Sequence, residues 1–179
     1  MSEAATPGVD MMATEAGAAV GEAVNRFTQQ HECLDVRLRA HLLAVAGADF
    51  GRAVRHLARW RRALDRHIAI EETHLLPHVP DGARWAARVY QLEHRRIEDL
   101  AHDYAAKAQA VAARPPQGRR ATREAVLALL DGAHSLRHVI EHHHEREQMA
   151  LAVELTPEVQ EAAWRMPAAA PADFSRIGP

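Results

Sequence analysis

Residues 49–76 read DFGRAVRHLARWRRALDRHIAIEETHLL, and this stretch carries a stripe of side chains at helical spacing. Residues that recur every three or four positions lie on one side of an α-helix. The stripe begins with apolar side chains and ends with ionisable ones: Phe50, Ala53, Leu57, Trp60, Leu64, His67, Glu71 and His74. We therefore predict a long amphipathic helix whose inward face carries polar groups near its C-terminal end.

Three further long stretches repeat this spacing and contain no internal proline. The predicted helices span residues 18–46, 49–76, 83–113 and 120–155, and Thr156 followed by Pro157 introduces a short helix over 156–166. Short connections between long helices favour antiparallel neighbours. The predicted fold is all-α, an up-down-up-down antiparallel four-helix bundle over 18–155 with a short C-terminal helix. We expect residues 1–17 to form a flexible N-terminal arm and 167–179 a C-terminal tail.

The composition excludes several classes of protein. The chain has 179 residues, of which 47% are hydrophobic, so it can build one domain with a sizeable core. A formal net charge of −2 argues against nucleic-acid binding, and no apolar run approaches the ~18 residues that span a membrane. The single Cys33 cannot form a disulfide framework, which favours the cytoplasm. We expect Cys33 to be a small packed side chain.

The chain contains 13 histidines, and every predicted stripe includes at least one. His67 precedes Glu71 by four residues, as His143 precedes Glu147, and this spacing puts each pair on one helix face about 6 Å apart. Counted from the turns at ~1.5 Å per residue, the inward His and Glu of all four helices differ in height mostly by one helical turn or less. A buried ionised Glu is costly unless it is paired or bound to a cation. We therefore predict that one metal site is formed by His31, His67, Glu71, His94, His143 and Glu147.

These ligands suggest two metal ions rather than one. Four imidazoles and two carboxylates exceed the four ligands of a tetrahedral zinc. Nitrogen and oxygen ligands without thiolate suit iron, with manganese as the second choice. Glu71 and Glu147 would bridge the two ions, and an open position would accept dioxygen, hydrogen peroxide or nitric oxide. The alternative without metal is a buried polar network that holds the helices in register.

Four further residues lie near this site in the predicted helices. His74 would lie about two turns from His67, so a supporting role is favoured over metal binding. Glu72 and Glu98 flank the inward face and would orient ligand imidazoles. Tyr90 lies one turn before His94, and three roles are open for it. It would hydrogen-bond an oxygen species as a catalytic residue, coordinate iron, or fill the core.

A dense histidine cluster surrounds His143 on the fourth helix. His134, His138 and His142 recur every four residues, and His144 adjoins His143. Metal binding is one interpretation, but the first three lie off the inward stripe, which favours a solvated face. His41 lies on the first stripe, about 15 Å from His31 by helix rise, and is expected at the edge of the core.

The pattern resembles the hemerythrin-like, or HHE cation-binding, domains over about residues 25–155. The matching segments are HECLD from His31, HIAIEETHLLP from His67, EHRRIED around His94 and HHERE from His143. The resemblance implies a four-helix bundle with an oxo- or hydroxo-bridged pair of non-haem iron ions. Members of this family carry oxygen, handle nitric oxide, consume peroxide, or sense iron or oxygen.

The chain departs from the oxygen-carrying members of that family at one position. Those members have a second His four residues after the third-helix His, where this chain has Glu98. The departure favours a peroxide-decomposing or oxygen-activating oxidoreductase over a simple oxygen carrier. The alternative is a protein that senses or stores oxygen, nitric oxide or iron without turnover.

Overall fold

The structure, a computed structural model, describes the backbone of residues 8–166 and the side chains of residues 26–166. Its regular structure within this range is entirely helical, which confirms the all-α class. None of the helices in this range has both the length and the apolar character needed to cross a bilayer. The α-helices are α1 (Gly8–Ala46), α2 (Phe50–Ile70), α3 (Ala87–Ala113), α4 (Arg119–Arg146), α5 (Ala152–Glu154) and α6 (Pro157–Arg165).

The first helix begins earlier than predicted. It starts at Gly8 rather than at residue 18, so the backbone of residues 8–17 is helical. Residues 11–16 read MMATEA, and Met, Ala and Glu are good helix formers, which explains the extension. Residues 1–7 and the predicted tail, 167–179, lie outside the described residues.

Two long helices change their winding instead of continuing as α-helix. After α2 the chain forms a π-helical segment, Glu71–Leu75, and then a 3₁₀ turn, Leu76–His78. After α4 it forms a second π-helical segment, Glu147–Leu151, before α5. Pro77 has no N–H to donate, so the chain that follows α2 cannot continue past this point as a regular α-helix. The sequence predicted uninterrupted helices to 76 and 155, and both predictions missed these segments.

The four long helices contact one another in a closed cycle. The helix α1 packs on α2, α2 on α3, α3 on α4, and α4 on α1. The connections between them are short: α1 is joined to α2 by residues 47–49, and α3 to α4 by residues 114–118. Helices α5 and α6 follow α4 in the chain, and both contact α1.

Two apolar clusters fill the interior. The larger contains Trp60, Ile97 and Leu136, and the smaller, at the α5–α6 end, contains Phe27 and Leu151. Along α1, Phe27 belongs to the smaller cluster and Leu34 to the larger, and His31 lies between them. On α3, His94 lies between Tyr90 of the smaller cluster and Ile97 of the larger. On the α4 side, His143 and Glu147 lie between Ile140 of the larger cluster and Leu151 of the smaller. A polar layer therefore separates the two apolar clusters at the level of the predicted ligands.

Candidate metal centre

The polar layer contains all six predicted ligands, and each is almost completely buried. Ionised carboxylates are rarely buried without cations around them. The exposed fractions are His31 3%, His67 5%, Glu71 0%, His94 0%, His143 2% and Glu147 0%. These values rule out a solvated polar patch. The charges of the buried carboxylates must therefore be balanced, either by protonated imidazoles or by a bound cation.

The carboxylate of Glu71 faces two imidazoles with its two oxygens. Its Oε1 lies 3.1 Å from His67 Nε2, four residues earlier on α2. Its Oε2 lies 3.3 Å from His94 Nε2 on α3. Each oxygen of Glu71 therefore faces a different histidine, which is the arrangement expected of a carboxylate that binds one ion with each oxygen.

Glu147 repeats this arrangement from α4. Its Oε2 lies 3.1 Å from His31 Nε2 on α1, and its Oε1 lies 3.1 Å from His143 Nε2. The six residues thus divide into two groups of four that share both glutamates, with the ligand atoms of each group within 4.8 Å of one another. The groups are His31, His67, Glu71 and Glu147, and Glu71, His94, His143 and Glu147.

The contacting atoms in this layer are close but poorly oriented for hydrogen bonds to each other. No described group makes a hydrogen bond to any of the four carboxylate oxygens or to the Nε2 atoms of His31, His67, His94 and His143. Two ligand atoms at right angles around an ion at about 2.1 Å would be about 3 Å apart. The N–O distances of 3.1–3.3 Å are close to that value. The atoms are arranged around shared positions, which fits ligands of a metal pair.

Both buried carboxylates are ionised. Burial raises the pKa of Glu71, as does the charge of Glu147, but the facing imidazoles of His67 and His94 together outweigh them and the pKa is lowered overall. Burial also raises the pKa of Glu147, but His143, first among the facing imidazoles, holds it well below its usual range. The layer therefore carries two negative charges, which protons on the imidazoles or metal cations must balance.

Acids outside the layer hold two of the imidazoles in place. His94 Nδ1 donates to Glu72 Oε1 at 3.0 Å, and His143 Nδ1 donates to Glu93 Oε2 at 3.0 Å. The other oxygen of Glu93 lies 2.9 Å from Arg146 Nε in an ion pair. Such contacts turn Nε2 toward a metal and raise the basicity of the ligand. Glu72, one of the predicted supporting residues, thus contacts His94, and Glu93, which the spacing does not indicate, contacts His143.

His144 is a seventh member of the layer that the sequence analysis did not select. Its exposed fraction is 7%, its ring stacks on His31 with centroids 3.7 Å apart, and it groups with His31 and His67 as a possible ligand set. Burial and then the neighbouring His31 lower its pKa to about 3, which keeps the ring neutral. The spacing contained a signal, since His144 precedes Glu147 by three residues and shares its helix face.

Three predicted residues lie outside the ligand groups. Glu98 is exposed, and His74 is partly buried with an Nε2 atom that has no partner among the described residues. Tyr90 is fully buried, and its hydroxyl also lacks a hydrogen bond to any described group. Burial, first of all, raises the pKa of Tyr90, so its hydroxyl keeps its proton. The hydroxyl is thus an available donor, whereas Glu98 touches none of the ligands.

A cavity of about 230 Å³ gives the layer one approach from solvent. It is lined by His67, by Trp164 of α6, whose ring stacks on His67 at 5.5 Å, and by Arg37 and Arg66. Cys33 also lines the cavity and is exposed, so the prediction of a packed thiol is wrong. It directly precedes the buried Leu34 and lies on the outward side of α1.

Comparisons of the chain with models of protein families, with curated proteins and with solved structures find no match. The geometry is therefore the basis for any functional conclusion. It defines a helical protein with a buried cluster of histidines and glutamates that can hold metal ions.

Proposed function

We propose that this chain is a hemerythrin-like protein whose two iron ions bind or react with dioxygen, hydrogen peroxide or a related small oxidant. The observation that carries the proposal is that both buried glutamates present one oxygen to each of two histidine pairs. A single ion would not need two carboxylates placed in this way. A metal-free polar network would pair the same atoms by hydrogen bonds, and these atoms lack such bonds.

We further propose that the four long helices form an antiparallel up-down-up-down bundle. The closed cycle of contacts from α1 to α4 supports this topology. So do the short connections 47–49 and 114–118, which leave little length for a crossover. In such a bundle, facing helices supply the ligands from all sides, as the polar layer requires.

Iron is the metal that we propose, with manganese second. The ligand set offers imidazole nitrogen and carboxylate oxygen only, which suits these ions better than ions that favour thiolate. Two ions with shared carboxylates suit an oxo- or hydroxo-bridged pair. When bound, this iron pair would supply the electrons for two-electron chemistry with a small oxidant.

The two sides of the layer differ in the number of imidazoles. His31 and His67 have a third imidazole beside them, that of His144, whereas His94 and His143 have none. We propose that the oxidant therefore binds on the side of His94 and His143. Tyr90 lies one turn before His94 on α3, and the charges of Glu147 and Glu93 act on its hydroxyl. Its proposed role is to donate a hydrogen bond or a proton to the oxidant.

Peroxide disproportionation is the enzymatic activity that best fits an enclosed site. One peroxide molecule loses two electrons and becomes dioxygen, and a second gains two electrons and becomes two waters. The protons released by the first are consumed by the second, so no external reductant is needed. The buried ligands exclude larger substrates, and the role of the protein is to exclude water and to position a proton donor.

Metal analysis tests the centre itself. Protein purified after iron loading should contain about two ions per chain, and His143→Ala or Glu71→Ala should lose most of that content. His134→Ala is the matched control, because His134 is exposed on the outside of the same helix as His143. Full iron content and an unchanged visible spectrum in the first two variants would refute the proposal.

Hydrogen peroxide added to the diferric protein tests turnover. Release of dioxygen over many equivalents of peroxide supports an enzyme, and Tyr90→Phe should slow it at unchanged iron content. Tyr90→Phe keeps the buried ring and removes only the hydroxyl that lacks a partner. Equal rates in the wild type and this variant would assign Tyr90 to packing alone.

A sensor or storage protein for oxygen, nitric oxide or iron is the second candidate. It is favoured by the stacking of Trp164 on His67, which couples the ligand layer directly to α6. In this case peroxide would bleach the centre once, without further dioxygen release. A change in protease cleavage of α6 between the diferric and diferrous states would support signalling through this contact.

A further inference from the structure

The outer face of α4 carries three exposed histidines at spacings of four residues. These are His134, His138 and His142, and none belongs to the buried layer. The rings of His138 and His142 have centroids 4.5 Å apart and planes at 86° to each other. The rings of His134 and His138 are farther apart, at 6.3 Å, and nearly parallel, at 13°. The two neighbouring pairs on this face therefore differ sharply in geometry.

The geometry of His138 and His142 matches that of the candidate ligand pairs inside the protein. His94 and His143 have centroids 4.8 Å apart at 80°, and the corresponding values for His31 and His67 are 5.2 Å and 76°. Two imidazoles on one ion, each with N at about 2.1 Å, place their centroids about 4.5–5.3 Å apart. The pair at 6.3 Å lies outside this range.

An acid on the next turn supports the same pair. Glu145 Oε2 lies 3.7 Å from His142 Nδ1, within ion-pair distance. This distance is too long for a hydrogen bond, but the carboxylate adds negative charge beside the two rings, which favours a bound cation. The nearby Arg137 does not compete for this acid, because it pairs with Glu141 at 3.2 Å.

We propose that His138 and His142 form a second, solvent-exposed site for one divalent first-row transition-metal ion, with the carboxylate of Glu145 adding negative charge beside it. Water completes the coordination, so the site binds ions reversibly. His142 precedes His143 of the buried layer by one residue, and it lines a cavity of about 200 Å³ with Arg146, the ion-pair partner of Glu93. An ion captured here is held at the surface beside the buried centre. The site does not depend on the function proposed above.

Nickel titration of the iron-loaded protein tests this site. Calorimetry should detect one equivalent of Ni²⁺ bound with micromolar affinity. The double variant His138→Ala/His142→Ala should bind at least tenfold more weakly, and His134→Ala should bind like the wild type. All three residues are exposed, so the variants should fold like the wild type. Unchanged nickel affinity in the double variant, or an equal loss in His134→Ala, overturns the proposal.

A second titration separates this site from the buried centre. The variant Glu71→Gln/Glu147→Gln removes both shared carboxylates and leaves the outer face of α4 unchanged. It should still bind one equivalent of Ni²⁺ with the wild-type affinity. Loss of nickel binding in this variant would place the ion in the buried layer and overturn the exposed site.

Discussion

A buried histidine is not by itself a metal ligand, as His41 shows. It is fully buried, where the sequence predicted the edge of the core. Its Nδ1 donates to the carbonyl of Ala53 at 2.8 Å, and its Nε2 accepts from the Tyr104 hydroxyl at 2.7 Å. Both nitrogens of the neutral ring are therefore satisfied within the protein. The candidate ligands differ because their Nε2 atoms have no hydrogen bond to any described group.

His41 makes the stability of the fold depend on pH. Burial lowers its pKa, as does the nearby His56, while the contact with Ala53 partly opposes this. Below a pH of about 6.5 the unfolded chain binds a proton that the folded chain resists, so the stability contributed by neutral His41 is lost as pH falls. In His41→Gln this loss should be absent. The free-energy difference of unfolding between wild type and variant should therefore shrink from pH 7.5 to pH 5.

Urea unfolding at several pH values measures this difference. The wild type and His41→Gln must be compared in the same metal state. The histidines of the polar layer then contribute equally to both unfolding free energies, and their contribution cancels in the difference. A difference in unfolding free energy that stays constant over the range would contradict the assignment of a neutral His41.

Glu93 should affect metal affinity through His143, although it is not a candidate ligand. Glu93→Ala removes the acceptor of His143 Nδ1–H, and loss of such a partner costs about 10- to 100-fold in metal affinity. Glu98→Ala, five residues further along α3, is the matched control and should leave affinity unchanged. Competition with a chromophoric chelator gives both affinities. An equal loss in the two variants would show a general effect of removing an acid from α3.

The sequence predicted the six candidate ligands because their signal is local. A spacing of four residues puts His67 and Glu71 on one helix face. Counting residues from the turns gives the height of each inward-facing side chain along its helix. Glu93 could not be found in this way, since it lies on α3 and its contact, His143, lies on α4. Which side chains meet across two helices depends on the rotation of each helix about its axis, and spacing within one helix does not report that rotation.

Among the helical elements, periodicity predicted the long helices but not their changes in winding. Both π-helical segments begin at a shared glutamate, Glu71 or Glu147. Segments of this kind frequently occur at functional sites. Proline marks the first of them in the sequence, at Pro77, but the second contains no proline or glycine. One π-helical turn changes the positions of the inward-facing side chains only slightly. The spacing of these residues in the sequence therefore could not reveal the π-helical segments.

The short helix α6 should control how fast ions leave the buried layer. Trp164 covers His67, and Thr156 caps the start of this helix through Val159 N–H. In Trp164→Ala the iron content after loading should stay near wild type, but a chelator should remove the iron faster. Because Trp164 is only partly buried, the variant should lose about 2 kcal/mol of stability, less than a fully buried Trp costs.

Trp85→Ala is the control for this experiment. Trp85 is also partly buried, but it packs against Arg146, with 4.4 Å from the guanidinium to the ring, rather than on a candidate ligand. Chelator-dependent loss of colour gives the rate of iron release for each variant. Equal rates in the two variants would show that α6 does not cover the centre.

For the whole molecule, the polar layer divides what would otherwise be one apolar core. Phe27 and Leu151 lie on one side of it, and Leu34 and Ile140 on the other. Two ionised glutamates buried between them must be balanced by cations, because unpaired buried charge destabilises a fold strongly. Without metal, protonated imidazoles provide this balance: burial lowers the pKa of His94, but the surrounding glutamates outweigh burial and raise it to about 11.

Metal binding should therefore stabilise the entire fold and not only the site. An ion that binds the folded chain alone, at about 100 times its dissociation constant, adds about 2.7 kcal/mol to the unfolding free energy. Two ions would contribute about twice this amount to the wild type. In Glu71→Gln/Glu147→Gln the iron-dependent gain should disappear, because both shared carboxylates are lost, whereas His134→Ala should keep it. Thermal unfolding with and without ferrous iron measures the gain, and a full gain in the double variant would mean that the ions bind elsewhere on the chain.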